Sequence, residues 1–124
     1  MKLSFTKMHG CGNNYIYFNC FDQTVPDPGE LSVRLSEPHF GIGGDGIILI
    51  SPSDKADAQM RIFNADGSEG KMCGNGIRCV GKYLYDNGMT DGRTTVTVDT
   101  LSGVKTLELT VKDGKMLSAR VDMG

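Results

Sequence analysis

The chain has 124 residues, 39% of them hydrophobic, and a formal net charge of −2 from 13 basic and 15 acidic side chains. That is the size of one domain. It holds no apolar run of the ~20 residues a membrane-spanning helix needs and no basic stripe suited to a nucleic-acid backbone. The unusual number is 17 glycines, about twice ordinary usage, and they cluster at three places instead of forming a low-complexity tract.

In chain order, Leu3 and Phe5 alternate with Ser4 and Thr6 as a half-buried strand does. The opening residues Met1 to Met8 lack the apolar core of a signal peptide. A glycine turn, His9-Gly10-Cys11-Gly12-Asn13-Asn14, leads to a second strand at Tyr15–Phe18. Pro26, Pro28 and Gly29 predict a loop before a short helix around Leu31–Leu35, which Pro38 stops by Glu37. Gly46–Ile50 is continuously apolar and predicts a buried strand. Ala58, Met60 and Ile62 alternate with Gln59 and Arg61 in a further strand that reaches Asn64.

Ile77, Val80 and Leu84 recur with helical spacing, and Asn87-Gly88 supplies the left-handed terminator. Val96 and Val98, then Leu107, Leu109 and Val111, then Leu117, Ala119 and Val121 predict three closing strands, the last two joined by an Asp113-Gly114 hairpin turn. Many strands around one principal helix make an α+β domain, with no linker or repeat inside it.

The segment richest in chemistry is Ile62–Cys79. A strand runs into the Asp66-Gly67 turn, and a second glycine-rich turn, Gly74-Asn75-Gly76, opens the helix. Cys73 then lies at or just before a helix N-terminus, where free N–H groups and the macrodipole favour an anion. Such a position lowers a thiol from its ordinary pKa of ~8.5. Gly74 and Gly76 bare the backbone amides for a carboxylate or phosphate, and Asn75 adds an amide. A small cap residue in a tight turn is the plainer explanation of the same pattern. Cys79 falls inside the helix and reads as core. The cluster Gly41-Ile42-Gly43-Gly44-Asp45-Gly46 precedes a strand, whereas a dinucleotide fingerprint follows one and opens a helix. A close backbone crossing is its expected role. The cysteines Cys11, Cys20, Cys73 and Cys79 show no C-x₂-C spacing, and with His9 and His39 alone no zinc finger can be assembled. Reduced thiols and no metal are expected.

Taken together, Phe5–Gly10, Gly12-Asn13, Gly41–Gly43, Asp45-Gly46, Arg61–Glu69, Met72–Gly76 and Arg78-Cys79 resemble diaminopimelate epimerase. The resemblance covers the whole chain but only the N-terminal half of that family's enzyme. It implies residues 1–124 as a domain in which a strongly curved, mostly antiparallel sheet wraps one central helix, with a C-terminal half absent from this chain. It implies cofactor-independent and metal-independent interconversion of LL- and meso-diaminopimelate, serving lysine biosynthesis in the cytoplasm. One cysteine takes the α-proton and a second, on the opposite face, returns one. By matching position Cys73 is the first of these, Gly74 and Asn75 hold the substrate's α-carboxylate, and Asn13 and Asn64 contact the substrate further along. Some members carry a glutamine substrate contact where this chain has Gly46, so that contact is not transferred. The second cysteine belongs to the missing half, and the isolated chain is expected to be inactive. The alternative is a non-catalytic fragment of the same fold that binds a ligand or pairs as a homodimer through its uncovered cleft face.

Overall fold

Ile47, Ile48, Leu49 and Ile50 are all buried, which requires a strand covered on both faces. The computed structural model describes residues 6–7, 15–21, 23–36, 46–70 and 74–122, with the backbone alone at 6–7, 74–75, 115–118 and 122. In it those isoleucines lie on β3 (Gly46–Ser51), inside a mixed eight-stranded sheet. The other strands are β1 (Thr6–Lys7), β2 (Tyr15–Asn19), β4 (Ala58–Asn64), β5 (Glu69–Gly70), β6 (Thr95–Thr100), β7 (Gly103–Lys112) and β8 (Lys115–Asp122). Their order is β1-β2-β3-β4-β6-β7-β8, with β5 paired to β4 off that path. The β2–β3 and β4–β6 pairs are parallel and the remaining pairs antiparallel.

The two-residue period of a strand sorts the core into two layers. Tyr15, Tyr17, Ile48, Ile50, Ala58, Met60, Ile62, Val96, Val98, Leu107 and Leu109 pack with Ile77, Cys79, Val80 and Leu84 of helix α2 (Gly74–Asp86). One helix can meet inward-facing residues from β2 through β7 only if the sheet curls around it. The opposite parity, Ile16, Phe18, Ile47, Leu49 and Phe63, packs with Val25 and with Leu31 and Leu35 of helix α1 (Pro28–Ser36). On β6 and β7 that outward parity turns polar, with Thr95, Thr97, Thr106, Glu108 and Thr110. This is why the first strands read as continuous apolar runs and the last ones alternate.

Local chemistry sets the element ends. Helix α1 begins earlier than Leu31. The Asp27 carbonyl accepts from the Leu31 N–H at 3.0 Å, and Pro28, expected in the preceding loop, is instead the first helical residue. Proline is suited to that place because its fixed φ fits the helix and its missing N–H has no partner there. Helix α2 closes as expected at Gly88, with φ +70°. There Met89 N–H donates to Leu84 C=O at 2.9 Å and Gly88 N–H to Tyr85 C=O at 3.1 Å, the paired bonds of a Schellman cap. Asp113 and Gly114 both have positive φ, 55° and 75°, the geometry of a type I′ hairpin.

The joint between β4 and β6 is short, spanning only Ala58↔Val98 and Gln59↔Asp99. Asp57 reinforces it. Its carboxylate accepts from Thr97 N–H at 2.8 Å and from Arg93 Nη2 at 2.7 Å, while its own N–H donates to Thr97 C=O at 3.1 Å. The Arg93 guanidinium is the leading cause that holds the Asp57 carboxyl below its ordinary pKa. Asp57→Ala is expected to cost about 2 kcal/mol, since charge-assisted hydrogen bonds are lost and the Thr97 amide loses its acceptor. That is a fall in Tm of about 8 °C for a domain of this size, measurable by circular dichroism. A carboxylate with a depressed folded pKa stabilises above its unfolded value, so the gap between wild type and variant is full at neutral pH. It closes as pH falls below about 4, through the folded pKa.

Candidate functional site

Three of the motif-bearing segments connect to one end of the sheet. In register, Tyr15 at the start of β2 sits beside Gly46 at the start of β3, and Gly46 sits beside Asn64 at the end of β4. The turn containing Asn13 enters the sheet at Tyr15, the Gly41–Gly46 cluster enters at Gly46, and the Asn-Ala-Asp-Gly-Ser turn leaves at Asn64. The sequence alone did not show that these places are adjacent.

The crossing at Gly46 is as close as the glycine cluster suggested. Its φ is +150°, and a Cβ built there would lie 2.1 Å from the Phe63 carbonyl oxygen. A second close approach brings α1 onto the turn after β4. A Cβ at Gly29 would meet Gly67 O at 2.9 Å, and one at Gly67, where φ is +89°, would meet Gly29 O and Val33 Cγ2 at 3.0 Å. Between these contacts lies Ser32, fully buried. Its hydroxyl is 2.9 Å from the Phe63 carbonyl oxygen and 2.7 Å from that of Asn64. It ties α1 to the end of β4. Sequence reasoning passed over Ser32; a serine set between Leu31 and Val33 of a short helix was the signal available.

Asn64 is the predicted contact residue that the structure describes in full. Its N–H donates to Ser68 C=O at 2.8 Å and its C=O accepts from Gly67 N–H at 2.9 Å. Its Nδ2 donates to Ser68 Oγ at 3.1 Å. Across β4, Arg61 holds the β4–β5 hairpin shut with two bonds to Glu69, at 2.9 and 3.0 Å, and packs 5.0 Å over the Phe63 ring. The Asn64 amide lies over Gly70, whose notional Cβ is 3.7 Å from Nδ2. Helix α2 starts at Gly74, four residues beyond Gly70 and so within about 14 Å of it.

The first turn of α2 contains Gly74 and Asn75 and has no acidic residue, whereas α1 carries Glu30 in its first turn. The first turn of α2 thus carries no carboxylate to compete with an anion for the positive end of the helix. Among the described residues the helix begins at Gly74, the position after Cys73 in the sequence. Cys73 and Asn13 lie outside the described residues, as do Cys11 and His9.

The remaining cysteines are placed elsewhere. Cys79 is buried in the core and disulfide-bonded, so the expectation of reduced thiols fails there. Cys20 keeps its thiol and is half-buried. It lines a cavity of about 220 Å³ with Gln23, Val25, Leu49, Ser51 and Arg61. That cavity reaches Ser51 and Gln59, at the opposite end of β3 and β4 from Asn64. No helix among the described residues is long and apolar enough to cross a membrane.

The model of the diaminopimelate epimerase family matches residues 5–124. The chain belongs to the diaminopimelate epimerase family. It is 59% identical over 122 residues to a diaminopimelate epimerase of Acetivibrio thermocellus, covering 98% of this chain and 43% of that protein. To one of Methanococcus maripaludis it is 56% identical, again over 98% of this chain and 44% of the relative. The chain therefore spans less than half the length of these curated relatives. Among solved structures, a hydroxyproline epimerase from Agrobacterium vitis superposes with a TM-score of 0.70 at 21% identity, over 87% of this chain and 38% of that one. Methylitaconate-delta-isomerase superposes with 0.69 at 19% identity, over 94% and 62%. At such identities these two show a shared fold.

The crossing at β3 and β4 makes a direct prediction. Gly46→Ala places a methyl group against the Phe63 carbonyl in a backbone region unfavourable to alanine, and is expected to cost about 3 kcal/mol or more. Urea unfolding followed by circular dichroism measures it.

Proposed function

We propose that this chain is the first half of a diaminopimelate epimerase and supplies one of two opposed cysteines to a site that a second half completes. The observation that carries this is the start of α2 at Gly74, whose first turn holds no acidic residue, in a chain of this family. Gly74 and Asn75 present free amides to the substrate's α-carboxylate, and the same dipole favours Cys73 as a thiolate.

The Cys73 sulfur takes the α-proton, leaving the C–H electron pair on the α-carbon, delocalised into the carboxylate held at α2. Fixed N–H dipoles stabilise that growing negative charge without reorganising. A thiol on the opposite face, from the second half, then gives its proton to the carbon and inverts it. Thiols are suited to both roles because their ordinary pKa lies near physiological pH. Neither step asks for a cofactor or a metal. Asn13 and Asn64 hold the substrate away from the reacting carbon, and the enzyme is cytoplasmic.

With the second half present, Cys73→Ala is expected to lower the rate of LL-to-meso inversion by about 10³-fold, followed by chiral chromatography of the diaminopimelate isomers. Undiminished inversion in the variant overturns the proposal.

A further inference from the structure

Every backbone hydrogen-bonding group of Asn64 is committed: its N–H to Ser68 C=O, its C=O to Gly67 N–H and the Ser32 hydroxyl. Only the side-chain amide is left to meet a ligand. Which way that amide faces is decided by proton counting. Ser68 Oγ lies 2.6 Å from Asp66 Oδ1 and 3.1 Å from Asn64 Nδ2, and a hydroxyl has one proton to give. A carboxylate only accepts, so the Ser68 proton goes to Asp66. The Ser68 oxygen must then accept, and the Asn64 group turned toward it must be N–H. With the amide reversed, two oxygens would face each other with no proton between them.

We propose that Asp66 and Ser68 form a positioning relay that fixes the Asn64 amide with Oδ1 and its second N–H turned away from the 64–68 turn, toward the substrate. The relay rests on the proposed function for its ligand. An amide so oriented offers one acceptor and one donor, which suits an amino-acid end bearing an ammonium and a carboxylate. The Asp66 carboxylate is itself held by two donors, since the Ser68 N–H also bonds Oδ1 at 2.9 Å. These bonds keep the Asp66 carboxyl below its ordinary pKa, in the acceptor-only form. Neither Asp66 nor Ser68 touches the substrate in this account; both act through Asn64.

Two measurements test the relay, and only one depends on turnover. In NMR spectra of this chain, Ser68→Ala is expected to move one Asn64 side-chain amide proton toward the position of a solvated asparagine, and Ser68→Thr to restore it. No movement overturns the relay whatever reaction the protein catalyses. In the enzyme completed by its second half, Ser68→Ala is expected to raise KM for diaminopimelate about tenfold, the worth of one oriented hydrogen bond, and more than it lowers kcat. Ser68→Thr returns most of that loss. In an Asn64→Ala background the Ser68 change adds nothing, because the group it orients is gone. An additive double-mutant cycle, or a Ser68→Ala variant that loses only Tm, overturns the relay. A wild-type enzyme that does not turn over diaminopimelate overturns the proposed function instead, and the NMR result then decides the relay alone.

Discussion

The missing side chain at Gly46 is the constraint on which the site end of this sheet depends. β3 runs so close to β4 that a single methyl group would lie inside the contact distance of the Phe63 carbonyl. That approach pins the register Gly46↔Asn64, and through the parallel β2–β3 pair it also pins Tyr15. A one-residue slip in either pair would turn every core residue of the strand to the wrong face. Both faces of these strands are buried, so the register is enforced from two sides. The chain thus brings segments from three distant places to one sheet end by packing alone.

What is built there divides into a rigid frame and an exposed chemical edge. The frame is apolar and glycine-tight: α1 lies against the 64–68 turn through Gly29, Gly67 and the buried Ser32 hydroxyl. The edge is polar and half-exposed, formed by the Asn64 amide beside Gly70. A surface of this kind is suited to being covered, and the family relatives are more than twice this chain's length. In the proposed function the second half supplies both the cover and the opposing thiol. Inverting one carbon in a closed cleft needs an acid and a base on opposite faces, and in that proposal each half supplies one of them.

Much of this was legible in the sequence, for identifiable reasons. The alternation of Ala58, Met60 and Ile62, the helical spacing of Ile77, Val80 and Leu84, and the Asn87-Gly88 and Asp113-Gly114 punctuation are local signals, and each produced the expected element. The reading of Gly41–Gly46 as a close crossing instead of a nucleotide loop rested on the order of strand and turn, and holds at Gly46. Pro28 was misplaced by a few residues because proline marks a loop and a first helical turn equally well. Asp57 and Ser32 could not be found this way. Their partners, Thr97, Arg93, Phe63 and Asn64, are about 30 to 40 positions away, and nothing in their own neighbourhoods announces the bond. Of the predicted site, Asn64 and the start of α2 are placed by the structure, whereas Asn13 and Cys73 fall outside its described residues.

In the proposed function this chain holds one half of a two-thiol proton-transfer site. Its most direct test is incorporation of solvent deuterium at the α-carbon, with LL- and meso-diaminopimelate incubated in heavy water and followed by NMR. The chain alone is expected to leave both isomers unlabelled, and addition of the second half of a relative is expected to start labelling and inversion together. Labelling of either isomer by the chain alone at the rate of the completed enzyme, or none after the second half is added, would contradict the account.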